Sequence, residues 1–391
     1  MRIVYKYTSE GVGMYENEII NADCLEILKN MPDNSIDLIA TDPPFNKGYD
    51  MKSRKGAFTD TWVWDTDVEE KSIELKITNP SMFNVIKSAR GAYGDSMGAF
   101  LYFMGVRLIE MKRVLQKTGS MYLHCDATAS HYLKVLMDTI FGIDNFRNEI
   151  VWKRSFAHND SSRYGSIHDI ILFYTKSDDY MWNRIFMPYE EAYIETFYKK
   201  ADERGRYCLN SLTGPSHGHV SESESSQAWR GYDPKSRNRV WSVPRTGEYA
   251  KYVAKQIQGY STMTGVHERL DALDKHGFII YSKKVGSLPR LKLYLDGMLG
   301  VPLQDMITDI RSLQGFGTKV EYTGFPTQKP LKLYERFIEA SSNEGDIVLD
   351  PFCGSGTTCM AAHKVNRKYI GIDKSVEGCD IVKKRLNPDL C

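Results

Sequence analysis

Two short segments combine residue types that do chemistry. The first is ATDPPFN, residues 40–46, where an apolar run from Ile36 to Ala40 is stopped by an acid, two prolines and an aromatic ring. Asp42 offers a carboxylate acceptor, the prolines fix the direction of a main-chain carbonyl because φ is locked, and Phe45 offers a flat face. The same tetrapeptide also reads as a turn that ends a strand, since Asp-Pro and Pro-Pro are common there. The second segment is VLDPFCGSGTT, residues 348–358. It follows a predicted strand and opens a predicted helix, so Gly354 and Gly356 let the backbone pass close to a ligand faced by helix-terminal N–H groups.

That glycine loop lacks the GxGxxG spacing of a dinucleotide site and the Gly-Lys-Ser/Thr of a P-loop. An acid just ahead of the turn, Asp350, suits a cationic group better than a pyrophosphate, and the amino-acid ammonium of S-adenosylmethionine is such a group. YIGID then ends at Asp373, fifteen residues after Thr358. An acid at the tip of the next strand can hydrogen-bond both hydroxyls of a ribose.

The elements that must position these residues alternate. From 18 to about 182, short apolar strands (EIINAD, SIDLIATD, SMYLHCD, EIVWKR, DIILFYTK) alternate with helices at CLEILKNM (24–31) and near 97–116 and 128–140. From about 323, helices near 330–341, 357–365 and 375–386 flank DIVLD and YIGID. Such alternation predicts a mostly parallel sheet with helices on both faces. Residues 183–322 are irregular and rich in Tyr, Arg, Gly and Ser. Residues 46–96, with Lys52, Arg54, Lys55, Trp62 and Trp64, read as a DNA-contacting or lid loop. His217 and His219 lie in a Ser/Glu-rich stretch with no further metal ligands at a plausible spacing, so no metal is expected.

At 391 residues, 42% hydrophobic and 26% charged, the chain has an ordinary globular composition. No apolar run approaches the ~20 residues of a membrane span, and the start lacks a signal-peptide core, so a cytoplasmic protein is expected. Seven scattered cysteines without a CxxC pair point to reduced thiols. The net charge of +1 gives no global polyanion-binding signature. Between Trp229 and Lys255, however, Arg230, Arg237, Arg239, Arg245 and three lysines are threaded with Trp229, Tyr232, Trp241, Tyr249 and Tyr252. The cluster reads either as a solvated surface or as a nucleic-acid face, where cations meet phosphates and rings meet bases.

With both motifs in view, the sequence resembles the S-adenosylmethionine-dependent DNA amino-methyltransferases. Asp42-Pro43-Pro44-Phe45 matches their catalytic D/N/S-P-P-Y/F motif, and Asp350 to Thr358 matches their DPFxGSGTT cofactor motif. The order, catalytic motif first and cofactor motif last, is similar to the beta group, as are FPTQKP (325–330), WRGYDP and LPRLKLYLDGMLGVPLQDMITDI. The resemblance implies a Rossmann-like α/β fold: a doubly wound, mostly parallel seven-stranded sheet, circularly permuted, with an inserted target-recognition region at 183–322 between a catalytic half (1–182) and a cofactor half (323–391). It implies S-adenosyl-L-methionine as cofactor, held by Asp23, Cys24, Lys329, Asp350, Phe352, Cys353, Gly354, Ser355, Gly356, Thr357, Thr358 and Asp373. Asp23 also reads as the N-cap of the helix CLEILKNM, and the two roles are compatible.

On this resemblance, Asp42 and the Pro43 carbonyl accept the two hydrogens of a base amino group, while Phe45 stacks on a base swung out of the duplex. Asp at the first motif position favours N6 of adenine, with N4 of cytosine the alternative and a catalytically silent DNA-binding subunit a distant one. Methylation at cytosine C5 would need a Pro-Cys nucleophile, which is absent. A nicotinamide oxidoreductase is disfavoured by the loop spacing. The expected partners are double-stranded DNA, contacted by Arg230, Arg237, Arg239 and Arg245, and a cognate restriction endonuclease. The chain is expected to act as a monomer or homodimer in a bacterial or phage-infected cytoplasm, at the nucleoid.

Overall fold

The continuous apolar runs become strands buried on both faces, as parallel strands covered by helices on either side should be. In the computed structural model, residues 6–8, 11–13, 16–48, 51–53, 56–58, 60–216, 223–284, 286–313, 321–325 and 327–387 are described; His217, His219, Arg54 and Lys55 lie outside them. The chain forms two compact units, residues 1–185 with 304–391, and residues 186–303.

The first unit holds β1 (Glu18–Asn21), β2 (Ile36–Thr41), β3 (Leu115–Cys125), β4 (Phe146–Lys153), β5 (His168–Thr175), β6 (Met306–Ile307), β7 (Ile347–Asp350) and β8 (Lys368–Asp373). These form one sheet in the order β6-β4-β5-β3-β2-β7-β8-β1. All neighbours are parallel except β5, which runs antiparallel to both β3 and β4. The first sheet strand, β1, pairs with the last, β8, as a circularly permuted sheet requires. The sheet has eight strands rather than seven. The extra strand, β6, is only two residues long and has no periodicity to betray it. It is held to β4 by the bond from the Val151 N–H to the Asp305 carbonyl (2.7 Å) and from Trp152 Nε1 to the Ile310 carbonyl (2.8 Å).

One face of the sheet packs on α1 (Cys24–Asn30), α2 (Thr66–Thr78), α3 (Pro80–Tyr93), α4 (Asp95–Val114) and α5 (Ser130–Phe141). The other packs on α6 (Leu331–Ser341), α7 (Thr357–Lys364) and α8 (Val376–Leu386). The stretch expected as a lid or DNA-contacting loop is therefore helical over most of its length. Asp65 caps α2, Pro80 opens α3, and Leu75, Met82 and Ile86 join the core. On the opposite face, Tyr122 is sandwiched between Phe173 and Phe337, with ring centroids 4.5 and 4.6 Å away, and its hydroxyl meets Ser341 Oγ at 2.7 Å.

The second unit carries a four-stranded antiparallel sheet (Lys200–Asp202, Gly205–Ser211, Arg290–Tyr294, Ile279–Ile280) and, among the described residues, three α-helices, Glu191–Phe197, Gly247–Gln256 and Val266–Lys275. Its core includes Trp229, Trp241, Tyr260, Leu270 and Phe278, with Tyr232, Tyr249 and Tyr252 packed against it. Trp229 and Trp241 of the basic stretch thus build a core, and its three tyrosines lie half-buried against it.

Because β2 and β7 are parallel neighbours, the loops after them leave the sheet side by side. The Asp350 carboxylate, 3% exposed, joins them. Oδ1 accepts from Thr41 Oγ1 (2.6 Å) and the Phe352 N–H (3.1 Å), and Oδ2 accepts from Thr358 Oγ1 (2.6 Å). Burial nevertheless dominates these three bonds and pushes the carboxyl up to about 6.

Two stability changes follow. A carboxyl whose folded value lies above its unfolded one binds its proton more tightly when folded, so its contribution falls as pH rises from about 4 to about 6 and stays unfavourable above that. Asp350→Asn keeps the Oδ1 acceptor, and the Thr358 hydroxyl can turn to the Ala40 carbonyl, 3.2 Å away. Urea unfolding should show this variant gaining on the wild type by on the order of 2–3 kcal/mol more at pH ~7.5 than at pH ~4.5. Phe337→Ala removes one side of the Tyr122 sandwich and should lower the unfolding free energy by about 3–5 kcal/mol.

Candidate active site

The carboxyl ends of β1, β2, β7 and β8 lie along one edge of the sheet, where ligands bind in open α/β folds. The loop after β7 is shaped by two glycines. Gly356 has φ +76°, and a Cβ there would stand 2.4 Å from Val382 Cγ1, so no other residue fits without displacing α8. The Gly354 N–H is held by Asp373 Oδ2 at 2.8 Å, while Asp373 Oδ1 accepts from the Ser375 N–H at 2.7 Å. Burial raises the Asp373 carboxyl, and these two bonds offset part of that rise.

A cavity of about 600 Å³ opens at this edge. Of the residues expected at the cofactor, Asp23, Cys24, Phe352, Gly354 and Asp373 line it, together with Phe45. A recess of about 40 Å³ is lined by Lys329, Asp350, Cys353, Ser355, Thr357 and Thr358, and Asp42 borders both spaces. Gly356 borders neither and serves the turn. Asp23 is indeed the N-cap of α1, accepting from the Leu25 N–H at 2.8 Å, and it is also paired with Arg107 (2.9 Å) and Lys374 (2.7 Å). Burial would raise its carboxyl, but Lys374 and Arg107 together hold it below the ordinary value. Burial pushes the Cys24 thiol up to about 11, so it is a packing residue and not a nucleophile.

Two expectations change here. Asp350, expected to meet an ammonium group, already accepts from Thr41 and the Phe352 N–H on Oδ1 and from Thr358 on Oδ2, which leaves one lone pair toward the recess. It braces the loop. Lys329, expected at the cofactor, places its ammonium on Asp42 Oδ2 and lies 5.4 Å from the centre of the Phe45 ring.

A cavity of this volume, with acids at one side and rings along its wall, fits a nucleoside carrying a charged tail. Asp373 keeps a free lone pair on each carboxylate oxygen for hydroxyl or amino hydrogens, whereas those of Asp23 are met by the Leu25 N–H, Arg107 and Lys374; Phe352 and Trp62 offer apolar faces.

Asp42 leaves β2 into this space. Its Oδ1 is buried and has no hydrogen-bond partner. Phe45 beside it is 9% exposed, with Lys47 Nζ 5.2 Å from its ring centre. Sequence reasoning missed two neighbours, His124 and Asp169. His124 Nδ1 stands 3.9 Å from Asp42 Oδ1, and His124 Nε2 lies 3.2 Å from Asp169 Oδ2. A histidine inside the apolar strand SMYLHCD and an acid opening DIILFY were the signals that could have found them. Trp62, Phe103 and Arg107, which also border the cavity, were likewise not singled out as site residues.

The four arginines expected at DNA fare differently within the second unit. Arg230 pairs with Asp271 (2.9 Å) and Asp274, and Arg239 gives its Nε to Thr213 Oγ1 at 2.7 Å. These two brace their own unit. Arg237 reaches the Gly286 carbonyl at 2.5 Å yet is exposed, and Arg245 is exposed. Among the described residues no group of three metal-ligating side chains occurs, and no helix is long and apolar enough to cross a membrane.

Comparison with known proteins gives the geometry a context. A family profile described as DNA methylase matches residues 36–384. The type II methyltransferase M.EcaI of Enterobacter cloacae is 32% identical over 303 residues, covering 77% of this chain and 60% of that protein. The Mod subunit of the type III restriction-modification enzyme StyLTI of Salmonella typhimurium is 26% identical over 399 residues, covering 94% and 54%. The type II methyltransferase M.HpaI of Haemophilus parainfluenzae is 24% identical over 379 residues, covering 96% and 75%. The chain spans 60% and 54% of the length of the first two of these curated relatives. A match over nearly the whole sequence, with the Asp-Pro-Pro-Phe turn and the glycine loop meeting at one cavity, places the chain in the N6/N4 DNA methylases, a family that uses S-adenosyl-L-methionine.

Proposed function

We propose that the chain is a site-specific DNA methyltransferase that methylates the exocyclic N6 of adenine, on a base swung out of the duplex, within a restriction-modification system. The observation that carries the reading is Asp42 Oδ1: a buried, unpartnered acceptor beside an aromatic face, at the mouth of a nucleoside-sized cavity.

When bound, S-adenosylmethionine supplies an electrophilic methyl group. The residues that would hold it are Asp23, Phe352, Gly354 and Asp373 in the cavity, with Ser355 and Thr357 in the recess. An amino nitrogen on a base is a poor nucleophile because its lone pair is delocalised into the ring. Two acceptors for its two hydrogens favour a more tetrahedral, nucleophilic nitrogen. Asp42 Oδ1 is one, and the Pro43 carbonyl, its direction fixed by proline, is the other. Phe45 holds the ring by stacking. Lys329 occupies Asp42 Oδ2 and so leaves Oδ1 as the acceptor for the base. Adenine is favoured over cytosine by the acid at the first position of the motif, and residues 186–303 are proposed to read the target.

The base is tested by methylating a defined duplex, digesting it to nucleosides and weighing them. N6-methyladenine is expected, and N4-methylcytosine as the sole product overturns the adenine assignment. Asp42→Ala should lower methyl transfer by about a hundredfold or more while cofactor binding is kept; unchanged transfer removes Asp42 from its place.

For DNA binding, Arg245→Ala should weaken affinity and reduce the slope of log K against log salt by roughly 1, as loss of one phosphate contact does. Arg239→Ala should instead lower the melting temperature, because its partner is Thr213. An unchanged salt slope in Arg245→Ala moves the interface elsewhere.

A further inference from the structure

A second acid–base pair stands directly behind Asp42. His124 comes from the carboxyl end of β3 and Asp169 from the amino end of β5; because these strands are antiparallel, both reach the edge where β2 ends. The His124 ring is 1% exposed and packs edge-on against Trp152, with centroids 5.7 Å apart. Its Nε2 meets Asp169 Oδ2 at 3.2 Å, and Arg154 Nε lies 3.1 Å from Asp169 Oδ1.

The tautomer follows from chemistry. Burial alone would raise the Asp169 carboxyl, but the His124 hydrogen bond and the charges of Lys329 and Arg154 hold it below its ordinary value. An ionised carboxylate only accepts, so His124 Nε2 must donate, and Nδ1 of the neutral ring carries a lone pair. That lone pair faces Asp42 Oδ1 across 3.9 Å. Both atoms are buried and neither has a hydrogen-bond partner. A proton arriving on Asp42 Oδ1 would therefore find a second acceptor directly behind it.

The reaction proposed above releases one proton. As the N–C bond forms, the C–S bond breaks with its electron pair left on sulfur, and the nitrogen must shed a hydrogen. We propose that His124 is a positioning residue acting through Asp42: it keeps Oδ1 an acceptor toward the base and then takes from it, at Nδ1, the proton the amino nitrogen gives up. The imidazolium so formed lies between Asp42 and Asp169, whose charges are balanced by Lys329 and Arg154. The other titratable groups around this pair are Cys125 and Asp126 next along the chain, Glu149 on β4 and Tyr334 on α6. The proton passes to solvent when the product leaves. The inference rests on the methyltransferase reading.

Nitrogen-15 NMR of the cofactor-free protein reads the ring directly. At neutral pH, His124 should be the Nε2–H tautomer with Nδ1 bare; an Nδ1–H tautomer overturns the proposal. Single-turnover methyl transfer to duplex DNA, from about pH 5.5 to about 9, reads the consequence. The wild type should slow on the acid side. His124→Gln should be slower by about tenfold to a hundredfold, lack that acid limb, and keep its KM for DNA and its cofactor affinity. Asp169→Asn should give a similar loss, since an amide donor to Nε2 turns Nδ1 into a donor that occupies Asp42 Oδ1.

Rates within about twofold of wild type, or an acid limb retained in His124→Gln, overturn the inference. Should His124→Gln fail to fold, Asp169→Asn and the wild-type pH profile decide it. Absence of any methyl transfer by the wild type removes the functional reading and this inference with it. Unslowed variants of an active enzyme remove only His124.

Discussion

The site depends on one buried carboxylate. Thr41 and Asp350 are 309 positions apart, and the bond between them at 2.6 Å, with that from Thr358, ties the loop carrying Asp42 to the loop carrying the glycines. Strand pairing alone fixes β2 and β7 but not the chain beyond them. A charge held nine-tenths out of water is unfavourable, and its three donors recover only part of that. What it returns is geometry: two loops from opposite ends of the sequence are held at one register, so an acceptor and a ligand loop face the same cavity.

The same economy of charge runs through the rest of the site. Every described cation close to the cavity has an anion: Lys329 with Asp42, Arg107 and Lys374 with Asp23, Lys47 with Asp126, Arg154 with Asp169. Buried charges of one sign would be intolerable here, and pairs of opposite sign leave the site near neutral. A near-neutral site in a chain of net charge +1 has no long-range pull on a polyanion. Attraction to DNA must therefore come from local groups on the surface, and the second unit has fewer of these than its composition suggests, because Arg230 and Arg239 already have partners.

Most of the sheet was legible in the sequence. Strands buried on both faces are continuous apolar runs, and SIDLIATD, SMYLHCD, DIILFYTK, DIVLD and YIGID each became one. The helices from Asp95 onward in the first unit fell within a few residues of their predicted ends, since each has an apolar face against that sheet. What failed was what has no local signature. β6 is two residues held by backbone bonds to β4, and α2 carries only Ser72 and Leu75 as buried positions, so neither has a readable period. In the stretch from 229 to 255, composition could not separate rings that fill a core from rings that face solvent. The difference lies in tertiary packing around Trp229 and Trp241.

His124 shows why half of the site was hidden while the other half was plain. The Asp-Pro-Pro-Phe turn and the glycine loop each need special backbone, so proline and glycine mark them. A histidine and an aspartate on neighbouring strands need none; the sheet brings them together through ordinary pairing. Their proximity to Asp42 is set by β5 running against its neighbours, because a parallel β5 would put Asp169 at the opposite edge. The one reversed strand in the sheet is thus what allows an acid to stand behind the histidine, and the histidine behind the Asp-Pro-Pro-Phe turn.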